Sequence, residues 1–223
     1  MLADGPHARL PSLFHPLRQQ EIMSEQLQTA LEALRIAIAF ALLLPFVGYG
    51  VARLTIPDDR RQFAAILYPI VGWCVLVLGM FVANIFLPAR IGVIAVILAA
   101  GLANAVSLKR TPQRSNVPQE GLLALAAGAA LILVALAPHV VQASLGLLSL
   151  NSDEEVYYPA INYVLDYPVV GGPHSLSEQF LEGIAVYGWA FQYTAAAVSA
   201  LTGSLPFHVY PIVTNCLLSL IHI

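Results

Sequence analysis

Six carboxylates, Asp153, Glu154, Glu155, Asp166, Glu178 and Glu182, crowd into one polar stretch of this chain. The last lysine or arginine, Arg114, precedes all of them. An ionised carboxylate can take a proton from an attacking hydroxyl, hold a divalent cation, or steady positive charge developing on a sugar. Tyr157 and Tyr158, four and five positions after Asp153, add rings that stack on a sugar and hydroxyls that bond to one. The same residues also satisfy a plainer pattern. Ser152-x-x-Glu155 is a capping box, which puts Asp153 and Glu154 in the first turn of a helix, each stabilised there by ~0.3–1 kcal/mol. On that reading the acids only start a helix lying along a membrane surface. The residues alone leave both readings open. Three adjacent acids cannot all face one cavity, so at most two are chemical. Pro159 is expected to break the helix or to begin a new one, with Tyr158 extended before it.

Composition sets the elements that must position this stretch. Of 223 residues, 58% are hydrophobic and only 10% charged. Soluble domains carry about 25% charged residues, so the reading is an all-α, polytopic transmembrane helical protein in contact with the lipid bilayer. Residues 1–35 read as an N-terminal tail, and 36–150 as four transmembrane helices at about 36–54, 63–87, 91–108 and 121–141. Residues 151–183 form the acidic loop, which carries a short juxtamembrane helix. Further spans follow over 184–217, the first ending near Leu201 and the next starting near Phe207. Arg53, Arg60 and Arg61 mark the first loop as cytoplasmic, and Lys109, Arg110 and Arg114 mark the third. The base-free acidic loop is therefore expected outside the cytoplasm. Arg9, Arg18 and Arg35 run against the external N-terminus that this topology implies.

Both ends read as foreign to the fold. Residues 1–22 lack periodicity and a secretory cleavage site, and Met23 is an alternative start. The final Leu218–Ile223 resembles a translated sequencing adapter, so the chain is taken as a fragment. Cys74 and Cys216 read as small buried hydrophobes. Asn84 and Asn104 are expected to hydrogen-bond between helices. Tyr187, Trp189, Phe191 and Tyr193 read as interfacial anchors, and His139 as an interfacial hydrogen-bonder. His174 and Glu178 have a spacing that suits a metal only within a helix, and no metal site is assigned. No basic, aromatic-interleaved patch for nucleic acid is present.

One resemblance adds to this. Asp153-x-x-x-Tyr157-Tyr158-Pro159-Ala160, with Asp166-Tyr167-Pro168 after it, resembles the first extracytoplasmic loop of the GT-C superfamily of membrane glycosyltransferases. Tyr187-Gly188-Trp189, Leu201-Thr202-Gly203 and Tyr210-Pro211 are similar to that family's next two spans. Leu44-Pro45-Phe46-Val47-Gly48-Tyr49-Gly50 is similar to the first span of relatives with extra helices before the catalytic loop. The likeness covers roughly residues 42–217. Tyr158 stands where many relatives have histidine. The resemblance implies a bacterial cell-membrane enzyme that moves a sugar from a polyprenyl-phosphate donor to an extracytoplasmic acceptor with inversion. It implies Asp153 as catalytic base, Glu154 as its substitute if the register slips by one, and Tyr157 and Tyr158 against the substrate. The donor's phosphate requires positive charge, from a segment beyond this one or from a divalent cation such as Mg or Mn held by the acids. A transporter with an acidic vestibule and a non-catalytic assembly subunit are the alternatives from other classes.

Overall fold

The computed structural model describes residues 15–57, 64–110, 137, 152–170, 172 and 189–221. Side chains are described over 23–57, 67–109, 137, 157–170, 172 and 189–217. The expected fourth span at 121–141, apart from residue 137, lies outside these residues, as do His139, His174, Glu178, Glu182 and Tyr187. The fold is all-α: α1 His15–Thr55, α2 Ala64–Asn84, α3 Ala89–Arg110, α4 Ser152–Asp166, α5 Ala190–Thr202 and α6 Pro206–Ile221. Among the described residues, three segments are long and apolar enough to cross a membrane: Met23–Thr55, Leu67–Asn84 and Ala89–Lys109. The protein is thus a multi-pass helical membrane protein.

Helix α1 begins at His15, well before the apolar run at Ile36. Its 41 residues reach ~61 Å, about twice the ~30 Å hydrocarbon core. In the preceding polar-rich stretch, Met23, Leu27, Leu31, Leu34 and Ile38 recur at the three-and-four spacing of one helix face, which stays exposed, while Ala33, Ile36 and Phe40 pack inwards. Pro45 lies inside α1, where it removes one backbone donor.

The three spans run up, down and up. Helices α1 and α2 cross where Gly48 meets Gly72, so closely that a Cβ at Gly48 would lie 2.5 Å from the Gly72 nitrogen. Helix α3 joins α1 through Asn104. Its Nδ2 donates to the Phe46 carbonyl at 3.0 Å, while its Oδ1 accepts from the Gly50 N–H at 2.7 Å. Phe46 and Gly50 are the i−4 and i partners that an α-helix would join directly, so the amide inserts itself into the ladder just beyond Pro45. Asn104→Ala should remove both bonds and lower stability by ~1–2 kcal/mol. Thermal unfolding in detergent measures this, and an unchanged midpoint would refute the bridge.

Helical rise then fixes levels along the bundle. From the Gly48–Gly72 crossing, Arg35 in α1 and Asn84 in α2 both lie ~18–20 Å toward the same end. Arg53, at the other end of α1, stands ~27 Å from Arg35, close to the thickness of the hydrocarbon core. Arg35 and the α2–α3 turn therefore mark one boundary, and Arg53 with Lys109 marks the other. At the Arg53 end the guanidinium donates to the Tyr49 hydroxyl and lies over that ring, 5.3 Å from its centroid.

Helix α5 falls within the span expected to end near Leu201. Its described part has 13 residues, and Gln192 through Ser199 are all buried. Consecutive Ala195, Ala196 and Ala197 let neighbouring helices approach closely. The three described aromatic residues read as anchors pack inwards instead. Tyr193 is fully buried with Trp189 stacked on it at 5.5 Å, and Phe191 meets Trp73 at 5.9 Å. Trp73 Nε1 also donates to Thr194 Oγ1 at 3.0 Å. Helix α5 ends at Gly203, whose φ of 70° is the left-handed cap that glycine accepts without strain.

Candidate functional site

Helix α4 starts at Ser152, where the capping box places it, with Asp153 and Glu154 as its second and third residues. The side chains of Asp153, Glu154 and Glu155 lie outside the described residues. The helix continues through Pro159 to Asp166, which corrects the expected break. Proline forfeits one backbone bond, but Ala160, Ile161, Val164 and Leu165 beyond it are all buried, a continuous stripe that holds the helix together.

Tyr157 and Tyr158 are half-buried and meet the aromatic face of α6. The Tyr157 ring lies 5.4 Å from that of Tyr210, inclined by 32°. Tyr158 stands edge-on to Tyr210 at 5.8 Å and to Phe207 at 6.2 Å. Each such aromatic pair contributes ~0.5–1.5 kcal/mol beyond area burial. Residues four apart share a helix face, so position 153 stands one turn above Tyr157 and position 154 one turn above Tyr158. Both acid positions therefore head the α6-facing side of α4. Tyr210 and Phe207 were not singled out from sequence as partners of these tyrosines. Their only signal was the aromatic spacing that follows Pro206.

The far end of α4 is anchored on the α2–α3 turn. Val169 and Val170 donate their N–H groups to the carbonyls of Asn84 and Ile85 at 2.8 and 3.0 Å. The buried Asn84 amide donates to Leu87, Val164 and Tyr167 carbonyls at 3.0, 3.2 and 3.1 Å. Its Oδ1 accepts from the Tyr193 hydroxyl at 3.2 Å. Asp166 closes the helix and pairs with Arg90 Nε at 2.8 Å. Both side chains are more than half exposed, so this pair is worth only ~0–1 kcal/mol. It does place the α2–α3 turn and the end of α4 on the same side of the bundle. Burial, and secondly the neighbouring Tyr167, push the Tyr163 phenol above its ordinary value. Tyr163 thus stays neutral and is no base at physiological pH.

Asp153, Glu154 and Glu155 occupy three successive positions, each ~100° further around the helix axis. Three successive positions therefore do not all head one side of the helix. Helix α4 offers two acid positions one turn above a pair of tyrosines, at the membrane-boundary end of a span bundle. No family model matches the chain, and neither curated proteins nor solved structures match it.

Proposed function

We propose that this chain belongs to an integral membrane glycosyltransferase that draws its sugar from a polyprenyl-phosphate donor. The observation that carries the reading is the placement of α4. An acid-headed helix with two tyrosines one turn below its acids is docked on the boundary end of membrane-length helices. That is where a donor with a lipid tail in the bilayer would present its sugar. Asp153 acts as general base. It takes the proton from an acceptor hydroxyl as that oxygen bonds to the anomeric carbon, and the carbon–oxygen bond to phosphate breaks on the opposite face. The phosphate leaves with the bonding electrons, and the sugar is inverted. Tyr157 and Tyr158 flank the ring. Glu154 takes the role of base if the register is shifted by one residue.

The cell membrane of a bacterium is the proposed location, with α4 outside the cytoplasm. The basic residues of the first and third loops support that sidedness. Asp153→Asn in the full-length gene product should lower sugar transfer by at least ~100-fold, the usual worth of a general base. Labelled polyprenyl-phosphate sugar and isolated membranes provide the assay, with membrane insertion of the variant unchanged. Wild-type transfer by Asp153→Asn would overturn the assignment.

A further inference from the structure

Two open grooves run end to end between α1 and α5. The upper, of about 530 Å³, is lined by Leu34, Arg35 and Ile38 of α1 and by Leu201 and Thr202 of α5. The lower, of about 380 Å³, continues past Ala39 and Leu42 to Phe46, with Ile97 of α3 on its wall. Ala39 and Leu201 belong to both. From Arg35 to Phe46 the groove descends ~16 Å, about half the hydrocarbon core and so one leaflet deep.

Its polar end coincides with the boundary level set by the α2–α3 turn. Arg35 Nη2 donates to Ser204 Oγ at 2.7 Å and stands 3.8 Å from Glu32 Oε1. Glu32 in turn accepts the closer contact of His208 Nδ1 at 3.0 Å. A guanidinium has five N–H donors in a planar fork suited to phosphate, and 55% of the Arg35 side chain remains exposed. An arginine on the expected outer side of the membrane runs against the charge rule, and a bound anion would account for it.

We propose that this groove holds one anionic phospholipid of the surrounding bilayer, its phosphate on Arg35 and one acyl chain along α1 down to Phe46. Lipid binding in this groove does not depend on sugar transfer. A charged rim at the boundary above an apolar channel one leaflet deep matches the amphiphilic shape of such a lipid and of no soluble anion.

The test uses the full chain in dodecylmaltoside micelles with equal amounts of phosphatidylglycerol and phosphatidylcholine, and native mass spectrometry counts the lipids retained. Wild type should retain phosphatidylglycerol about tenfold better, the worth of one charge-assisted hydrogen bond. Arg35→Gln should remove that preference, and Arg35→Lys should keep most of it. Ala39→Phe fills the stretch common to both grooves without touching the guanidinium, and should lower retention of both lipids. Equal retention by wild type, a preference that survives Arg35→Gln, or unchanged retention in Ala39→Phe would each overturn the proposal. Displacement of the lipid by inorganic phosphate would also overturn it, because the site would then read the headgroup alone.

Discussion

Gly72→Ala is expected to destabilise the protein by about 3 kcal/mol or more, although alanine normally improves a helix by ~1 kcal/mol. A Cβ at Gly72 would overlap the Leu44 carbonyl oxygen and lie 2.7 Å from the Leu44 carbonyl carbon and 3.0 Å from the Gly48 nitrogen. Gly48 faces the reciprocal problem, since its Cβ would overlap the Tyr68 carbonyl oxygen and lie 2.8 Å from Gly72 Cα. Every one of these neighbours is backbone. No rotamer change relieves the clash, so the helices must separate. Separation is expensive in lipid, where close packing rather than water exclusion holds helices together. Gly101→Ala provides the control, because its Cβ would meet only Phe46 Cζ at 4.0 Å. That substitution should be neutral or stabilising by up to ~1 kcal/mol. Thermal unfolding of both variants in detergent distinguishes the two sites. Equal midpoints would mean that the α1–α2 crossing is looser than described.

The same pair of glycines illustrates what could be read from the sequence. Helices α2 and α3 match the apolar runs at 63–87 and 91–108 closely, because an unbroken apolar run of that length has few other uses. The crossing itself was hidden, since Gly48 and Gly72 meet only once the two helices have a register. The start of α1 was missed for a different reason. Gln26, Gln28, Thr29 and Glu32 interrupt the apolar run, while Met23, Leu27, Leu31 and Leu34 keep helical spacing beneath it. A search for continuous hydrophobicity passes over such a stripe. The capping box at Ser152 coincides with the first described residue of α4, as a local signal can. Its end was not legible. Arg90 meets Asp166 across 76 positions, and nothing in the text around Asp166 points to that arginine. Pro159 misled in the other direction, because a local penalty was set against burial supplied by distant helices.

These long-range contacts also explain why the candidate site is divided between strong and weak supports. The tyrosine end of α4 rests on aromatic rings of α6, each contact modest in energy. Its Asp166 end rests on one exposed ion pair, the backbone bonds of Val169 and Val170, and a buried amide. The amide decides where the acid-bearing helix stands.

Asn84→Leu should therefore have an effect far from its own position. Leucine keeps the branched shape but offers no donor or acceptor, so the carbonyls of Val164 and Tyr167 and the buried Tyr193 hydroxyl each lose their partner. Leaving buried polar groups unpaired costs ~1–3 kcal/mol apiece, and a net loss of ~2–4 kcal/mol is expected after relaxation. Asn84→Asp should be at least as harmful. A carboxylate in place of the amide can only accept, and it would face three carbonyl oxygens. Tyr193→Phe removes a single bond and should cost ~1 kcal/mol. A double-mutant cycle of Asn84→Leu with Tyr193→Phe should be non-additive, because the bond they share can be lost only once. Hydrogen exchange gives the spatial readout: amides of 163–167 should lose protection in Asn84→Leu while those of the α1–α2 crossing keep theirs. Loss of protection throughout would make Asn84 a general stabiliser of the bundle. Unchanged protection at 163–167 would remove its role as the anchor of α4, and with it the argument that the Asp153 helix is held in a fixed place.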